Sequence, residues 1–115
     1  MSDYKDLDVW KKSVAVVVDV YRLSSSFPDS EKFGLTNQMR RASVSIPSNI
    51  AEGSARHHAK DFTHFLRIAD GSAAELETQL IISLKLEFSS NIDPLLNEIV
   101  IIRRMLAALI KSLRM

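Results

Sequence analysis

The sequence has 115 residues, 46% of them hydrophobic and 25% charged, with no cysteine, three glycines and three prolines. Such a length suits one domain over 1–115 with its own core, while the absence of cysteine excludes a disulfide framework and a thiolate metal site. A net charge of +1 excludes a polybasic tail. The longest unbroken apolar runs, 14–18 and 105–110, fall far short of a membrane span, and Asp3, Asp6 and Asp8 are unlike a signal peptide. A cytoplasmic protein with no membrane partner is expected.

Three turn signals divide the chain into four segments. Ser24, Ser25 and Ser26 followed by Phe27-Pro28 disfavour helix, because serine hydroxyls compete for the backbone and the residue before proline is pushed to extended geometry. Glu52-Gly53-Ser54-Ala55 places a glycine where a helix C-terminal cap would fall. In Ser89-Ser90-Asn91-Ile92-Asp93-Pro94, Asp93 can cap a helix whose first position is Pro94. Each segment between these breaks has helical period. The first places Leu7, Trp10, Val14, Val17, Val18 and Tyr21 on one face; its valines favour strand, but no hairpin partner accompanies them. The second aligns Leu35, Met39, Ala42, Ile46 and Ile50. The third aligns Phe62, Phe65, Leu66, Ala69, Ala73, Leu76, Leu80 and Leu84, and the fourth Leu95, Ile99, Ile102, Leu106, Leu109, Ile110 and Leu113. The expectation is an all-α fold, an antiparallel up-down four-helix bundle with helices over about 7–25, 35–52, 58–88 and 93–114. Pro47, in the middle of the second helix, should bend it.

Two helices carry more apolar surface than one core requires. Helix one has a second stripe, Val9, Val16, Val20 and Leu23, roughly opposite the first. Helix four is apolar nearly all round, with Ile101, Met105 and Ala108 on one side and Leu96, Val100 and Ala107 on the other. A monomeric bundle buries one stripe per helix, so the surplus predicts a homo-oligomer joined through Val9, Val16, Val20, Leu23, Ile101 and Met105. Scattered surface aliphatics are the alternative.

On helix two, Gln38, Arg41, Ser45, Asn49 and Glu52 recur every three or four residues beside the apolar face. Glu77 stands at the edge of the core face of helix three and requires a partner, since a lone buried carboxylate is costly. Arg41 is the expected one, with Ser45 and Asn49 as neutral hydrogen-bond partners. The seam reads either as an internal network that sets helix register or as a cleft. It holds no nucleophile beside a base, because Ser45 has no histidine in register.

The run Gln38-Met39-Arg40-Arg41-Ala42-Ser43-Val44-Ser45-Ile46-Pro47-Ser48-Asn49-Ile50-Ala51-Glu52-Gly53 resembles the signature of the 23S rRNA intervening-sequence proteins, also called the four-helix-bundle protein family. Leu7-Asp8-Val9-Trp10 is similar to the family's opening, and Phe27-Pro28 with Glu31 and Gly34-Leu35 to its first connection. Phe65-Leu66-Arg67-Ile68-Ala69, Gly71-Ser72 and Glu75-Leu76-Glu77-Thr78-Gln79-Leu80 resemble its third helix; the fourth matches only in being apolar. Founding members of that family are encoded in insertions within bacterial 23S rRNA genes. Relatives include accessory proteins of diversity-generating retroelements, which form pentameric barrels and bind a reverse transcriptase and nucleic acid. The resemblance implies a bacterial protein assembled as a ring-like homo-oligomer, a homopentamer, with no enzymatic activity. It implies RNA or DNA, or a protein such as a reverse transcriptase, as partner.

Those nucleic-acid-binding relatives are strongly basic, whereas here the positive charge is confined to one window. Between Arg40 and Arg67, five cations (Arg40, Arg41, Arg56, Lys60, Arg67) meet two acids (Glu52, Asp61), a net of +3, and His57, His58 and His64 fall in the same stretch. Repeated around an oligomer axis, this band would attract phosphates regardless of sequence. Its candidate contacts are Arg40, Arg56, His57, His58, Lys60 and Arg67, with Arg40 placed opposite the core face. A solvated helix–helix turn has the same composition. A di-iron site needs Glu-x-x-His on two helices, and no glutamate here has that spacing. His57, Asp61 and His64 would share a metal-binding face only if the helix began by residue 57. No glycine-rich nucleotide fingerprint is present. The expectation is therefore a non-enzymatic oligomer without a cofactor that binds nucleic acid, or else a scaffold that contacts only protein.

Overall fold

The computed structural model describes residues 3–114. A 3-10 turn at Tyr4–Asp6, where the Lys5 N–H donates to the Asp3 carboxylate at 3.3 Å, leads into α1 (Asp8–Ser24). After a second such turn at Asp29–Glu31 follow α2 (Leu35–Ser54), α3 (Ala59–Lys85) and α4 (Asp93–Leu113), with no strand among the described residues. α2 packs on α1 and α3, and α4 packs on α3 and α1. Helix packing thus closes a four-membered ring around one core, 45 × 23 × 20 Å overall.

The core faces of α2 and α4 follow the sequence period. Met39, Ile46 and Ile50 face Leu66, Leu76 and Leu80 of α3 and Ile99, Ile102 and Leu106 of α4, all fully enclosed. On α3 the expected face also holds, except that Leu84 near its end is 40% exposed. α1 is turned the other way from its expected face. Val9, Ser13, Val16, Val20 and Ser24 are buried and Leu23 is half-buried, whereas Val18 and Tyr21 are exposed. Val9, Val16 and Val20, expected at a subunit interface, therefore face the chain's own core. Met105 also packs against that core, while Ile101 stays exposed. Both stripes of α1 are largely apolar, and serines interrupt the buried one. Each serine satisfies its hydroxyl on its own helix, Ser13 Oγ donating to the Trp10 carbonyl (2.8 Å) and Ser24 Oγ to the Val20 carbonyl (2.7 Å), so a polar residue sits in the core at little cost.

The helix ends also differ from expectation in informative ways. α2 runs unbroken through the buried Pro47 and past Gly53, so Gly53 is not a cap. A Cβ at Gly53 would lie 2.7 Å from Phe65 Cβ and 3.0 Å from Phe62 Cδ1; the missing side chain lets α2 and α3 approach. The left-handed residue in this turn is His57, with φ of 65°. α3 closes with Glu87 at φ 62°, Phe88 N–H donating to the Ser83 carbonyl and Glu87 N–H to the Leu84 carbonyl, a Schellman closure that carries Phe88 against Phe27. Asp93 begins α4 without a side-chain capping bond, and Pro94 sits in its first turn.

Candidate functional site

The polar residues of α2 separate into small, independent networks. Ser45 Oγ and Ser72 Oγ share a hydrogen bond of 2.8 Å, and Asn49 Nδ2 donates to both the Ser45 carbonyl (2.8 Å) and its hydroxyl (2.9 Å). This pins α2 to α3 through groups that are half-buried or buried. Glu52 accepts from Arg56 one turn later at 3.1 Å, while Gln38 is exposed. Gln79, two turns beyond Ser72, is buried with its Oε1 unpartnered.

The expected Arg41–Glu77 pair does not form. Glu77 accepts instead from Arg103 Nη1 of α4 at 3.2 Å, and the same guanidinium donates from Nε and Nη2 to Asp70 at 2.8 and 3.3 Å. Asp70 and Glu77 lie seven residues apart, two turns along one side of α3, and that side faces α4 rather than α2. The Asp70 bond foremost, with Glu77 adding to it against the cost of desolvation, raises the Arg103 guanidinium above its ordinary range. This three-residue fork is half-exposed, with side-chain exposures of 26–38%. A signal for it existed in the sequence, two acids at heptad spacing on α3 and an arginine flanking the core stripe of α4, but their juxtaposition depends on the packing of two helices.

The candidate basic band is split. Arg56, His57, His58 and Lys60 are exposed at the α2–α3 turn, whereas Arg67, also exposed, stands two turns into α3 and lines a recess with Asp70, Lys111 and Arg114. Arg56 also lies 5.1 Å over the Phe65 ring. His57 precedes α3, which starts at Ala59, so it does not share a helical face with Asp61 and His64. A recess of about 580 Å³ opens beside this turn, walled by Tyr4, Leu7, Phe62 and Leu113. Arg40 belongs elsewhere. It stands sixteen residues before Arg56, about 24 Å along the helix rise. It is not opposite the core but half-buried against α1, donating from Nε to Ser24 Oγ (2.9 Å) and from Nη2 to the Tyr21 carbonyl (3.4 Å).

Residues 5–108 match the sequence profile described as 23S rRNA-intervening sequence protein. The chain belongs to the 23S rRNA-intervening sequence protein family. A crystal structure of a protein of unknown function from the S23 ribosomal protein family of Bacteroides thetaiotaomicron VPI-5482 is similar to this family member. The TM-score is 0.82 at 27% identity, covering 90% of this chain and 95% of that one. No functionally curated protein matches significantly. In this intervening-sequence protein the run 38–53 is most of α2. Its Ser45, Asn49 and Gly53 serve the crossing with α3, while Arg41 faces solvent with no acidic partner among the described residues. No helix among the described residues is long and apolar enough to cross a membrane, and no three potential metal ligands there come together.

Proposed function

We propose that this 23S rRNA-intervening sequence protein is a non-enzymatic nucleic-acid-binding oligomer, a ring-like homopentamer of antiparallel up-down bundles that contacts phosphates around the α2–α3 turn. The observation that carries this reading is the exposed set Arg56, His57, His58 and Lys60 at one turn, with Arg67 two turns further along α3. Arg56 and Glu52 engage each other, and the acids beside the set are Asp61 and Asp3, which lines the same recess as His57 and His58. Five copies of such a turn around an axis would sum to a field that holds RNA or DNA by its backbone. Ring assembly is supported by two unlike apolar patches. Val14, Val17 and Val18 flank α1, and Ile81, Leu84 and Val100 lie along α3 and α4. Different patches on different faces suit head-to-tail contacts, which form a ring where the rotation between copies closes, rather than a two-fold.

A second reading, a protein scaffold or accessory subunit of an enzyme such as a reverse transcriptase, draws support from Phe33, 87% exposed beside α2, which suits a partner's pocket. Filter binding of single-stranded and duplex RNA and DNA at two salt concentrations separates the two. Nucleic-acid binding predicts an affinity that falls steeply with salt and is lost in a Lys60→Glu, Arg67→Glu double variant. Unchanged affinity in that variant would refute the basic turn as the contact, and a light-scattering mass of one chain would refute the ring.

A further inference from the structure

Away from the α2–α3 turn, an open cleft of about 520 Å³ lies between α1 and α2, lined by Tyr21, Asn37, Arg40, Arg41, Val44 and Ser45. We infer that this cleft is a second, separate binding site for a phosphate-class oxyanion, with the Arg40 and Arg41 guanidiniums as its ligands.

Arg40 is held in place without a carboxylate. Its Nε is bonded to Ser24 Oγ, itself anchored to the Val20 carbonyl, and its guanidinium lies 4.5 Å over the Tyr21 ring. Those contacts fix the plane of the fork and leave Nη1 without a protein acceptor among the described residues. A guanidinium already ordered loses little further freedom when it takes a ligand, and its geometry matches two oxygens of one anion. Arg41 stands next to it, exposed and with no side-chain partner among the described residues.

The residues that line the cleft carry charge of one sign. α2 carries no acid before Glu52, which Arg56 occupies. From α1 the nearby charged groups are Asp19 and Arg22, which face each other at 3.8 Å. Two adjacent cations in a recess with no compensating carboxylate attract an anion. The Asn37 amide, which makes no hydrogen bond among the described residues, supplies a neutral donor at the rim. A structural arginine in a bundle of this kind takes a carboxylate, as Arg103 does with Asp70 and Glu77; Arg40 takes only neutral oxygens. A carboxylate presents two oxygens in one plane, whereas a tetrahedral phosphate presents oxygens in several directions to two guanidiniums.

The experiment is titration of the full-length, isotope-labelled chain with inorganic phosphate, followed by NMR at the Arg40 Nε–Hε and the backbone amides of residues 37–45. The expected result is a saturable shift confined to the cleft. Arg41→Gln should weaken it about tenfold, the worth of one charge-assisted contact. Arg40→Lys keeps the charge but loses the fork, so it too should weaken binding. Circular dichroism reports whether Arg40→Lys stays folded; Arg41 is exposed, so Arg41→Gln decides the matter alone if it does not. The inference is overturned by an affinity unchanged in Arg41→Gln, by shifts centred on residues 56–60, or by no saturable response. Lys60→Gln with Arg67→Gln should leave phosphate binding intact, so failure of the basic turn and failure of the cleft are read separately. A short oligouridylate titrated in parallel identifies the source: tighter cleft binding than phosphate indicates a phosphodiester chain, and equal or weaker binding a free phosphate group.

Discussion

Replacing Gly53 with alanine puts a methyl group 2.7 Å from Phe65 Cβ and 3.0 Å from Phe62 Cδ1. The Phe65 atom is bonded to the α3 backbone and cannot swing aside, so the helices must part or the backbone must shift. Overpacking of this kind costs about 1–3 kcal/mol. Against it stands the gain in helix propensity from glycine to alanine, at most about 1 kcal/mol and smaller in the last turn of a helix. The balance predicts a net loss of about 1–2 kcal/mol, a fall in Tm of roughly 4–8 °C for a chain of this size. Gly71 provides the internal control, because it lies in the exposed middle of α3 and a Cβ there meets nothing within 4 Å. Gly71→Ala should therefore show the propensity gain undiluted, about 0.5–1 kcal/mol of added stability. Urea and thermal unfolding by circular dichroism, at one fixed protein concentration, measure both. A Gly53→Ala protein as stabilised as Gly71→Ala would refute the close approach of α2 and α3.

Arg103→Ala strands both Asp70 and Glu77, yet the fork is half-exposed, so the expected loss is about 1 kcal/mol rather than that of a fully buried pair. Glu77→Ala leaves the two bonds to Asp70 intact and should cost only a few tenths of a kcal/mol in urea unfolding; equal losses in the two variants would refute the shared fork. Val16→Asp puts a carboxylate at a site 1% exposed inside the chain's own core. It should unfold the protein, a loss of several kcal/mol, and a native helical spectrum with only a reduced light-scattering mass would instead place Val16 at a subunit contact.

Much of the fold was legible because the relevant physics is local. The 3.6-residue recurrence of Leu35, Met39, Ala42, Ile46 and Ile50, or of Leu95, Ile99, Ile102, Leu106 and Ile110, names the buried face without knowledge of the neighbour. The serine and proline breaks located the connections for the same reason. α1 was misread where periodicity gave two equal answers. Val9, Val16 and Val20 share their stripe with Ser13 and Ser24, and the hydrogen bonds of those serines to their own helix let that stripe be buried.

The polar groups were legible as a set and not as pairs. The identity of Arg41, Arg56, Lys60 and Arg67 as cations is written in the chain, but the partner of each charge is not. Glu77 finds its cation 26 residues away and Asp70 the same one 33 residues away, on a helix whose rotation about its axis is set by the packed core. Arg40 likewise is held against α1, which presents Ser24 and Tyr21 to it, well away from the basic residues of the α2–α3 turn. By itself the sequence determined the helix count, the connections and three of the four core faces, since these depend on neighbours within a turn or two. Tertiary structure alone decided which stripe of α1 is inside, which arginine answers Glu77 and which arginines stay free, because those choices rest on contacts between helices distant in the chain.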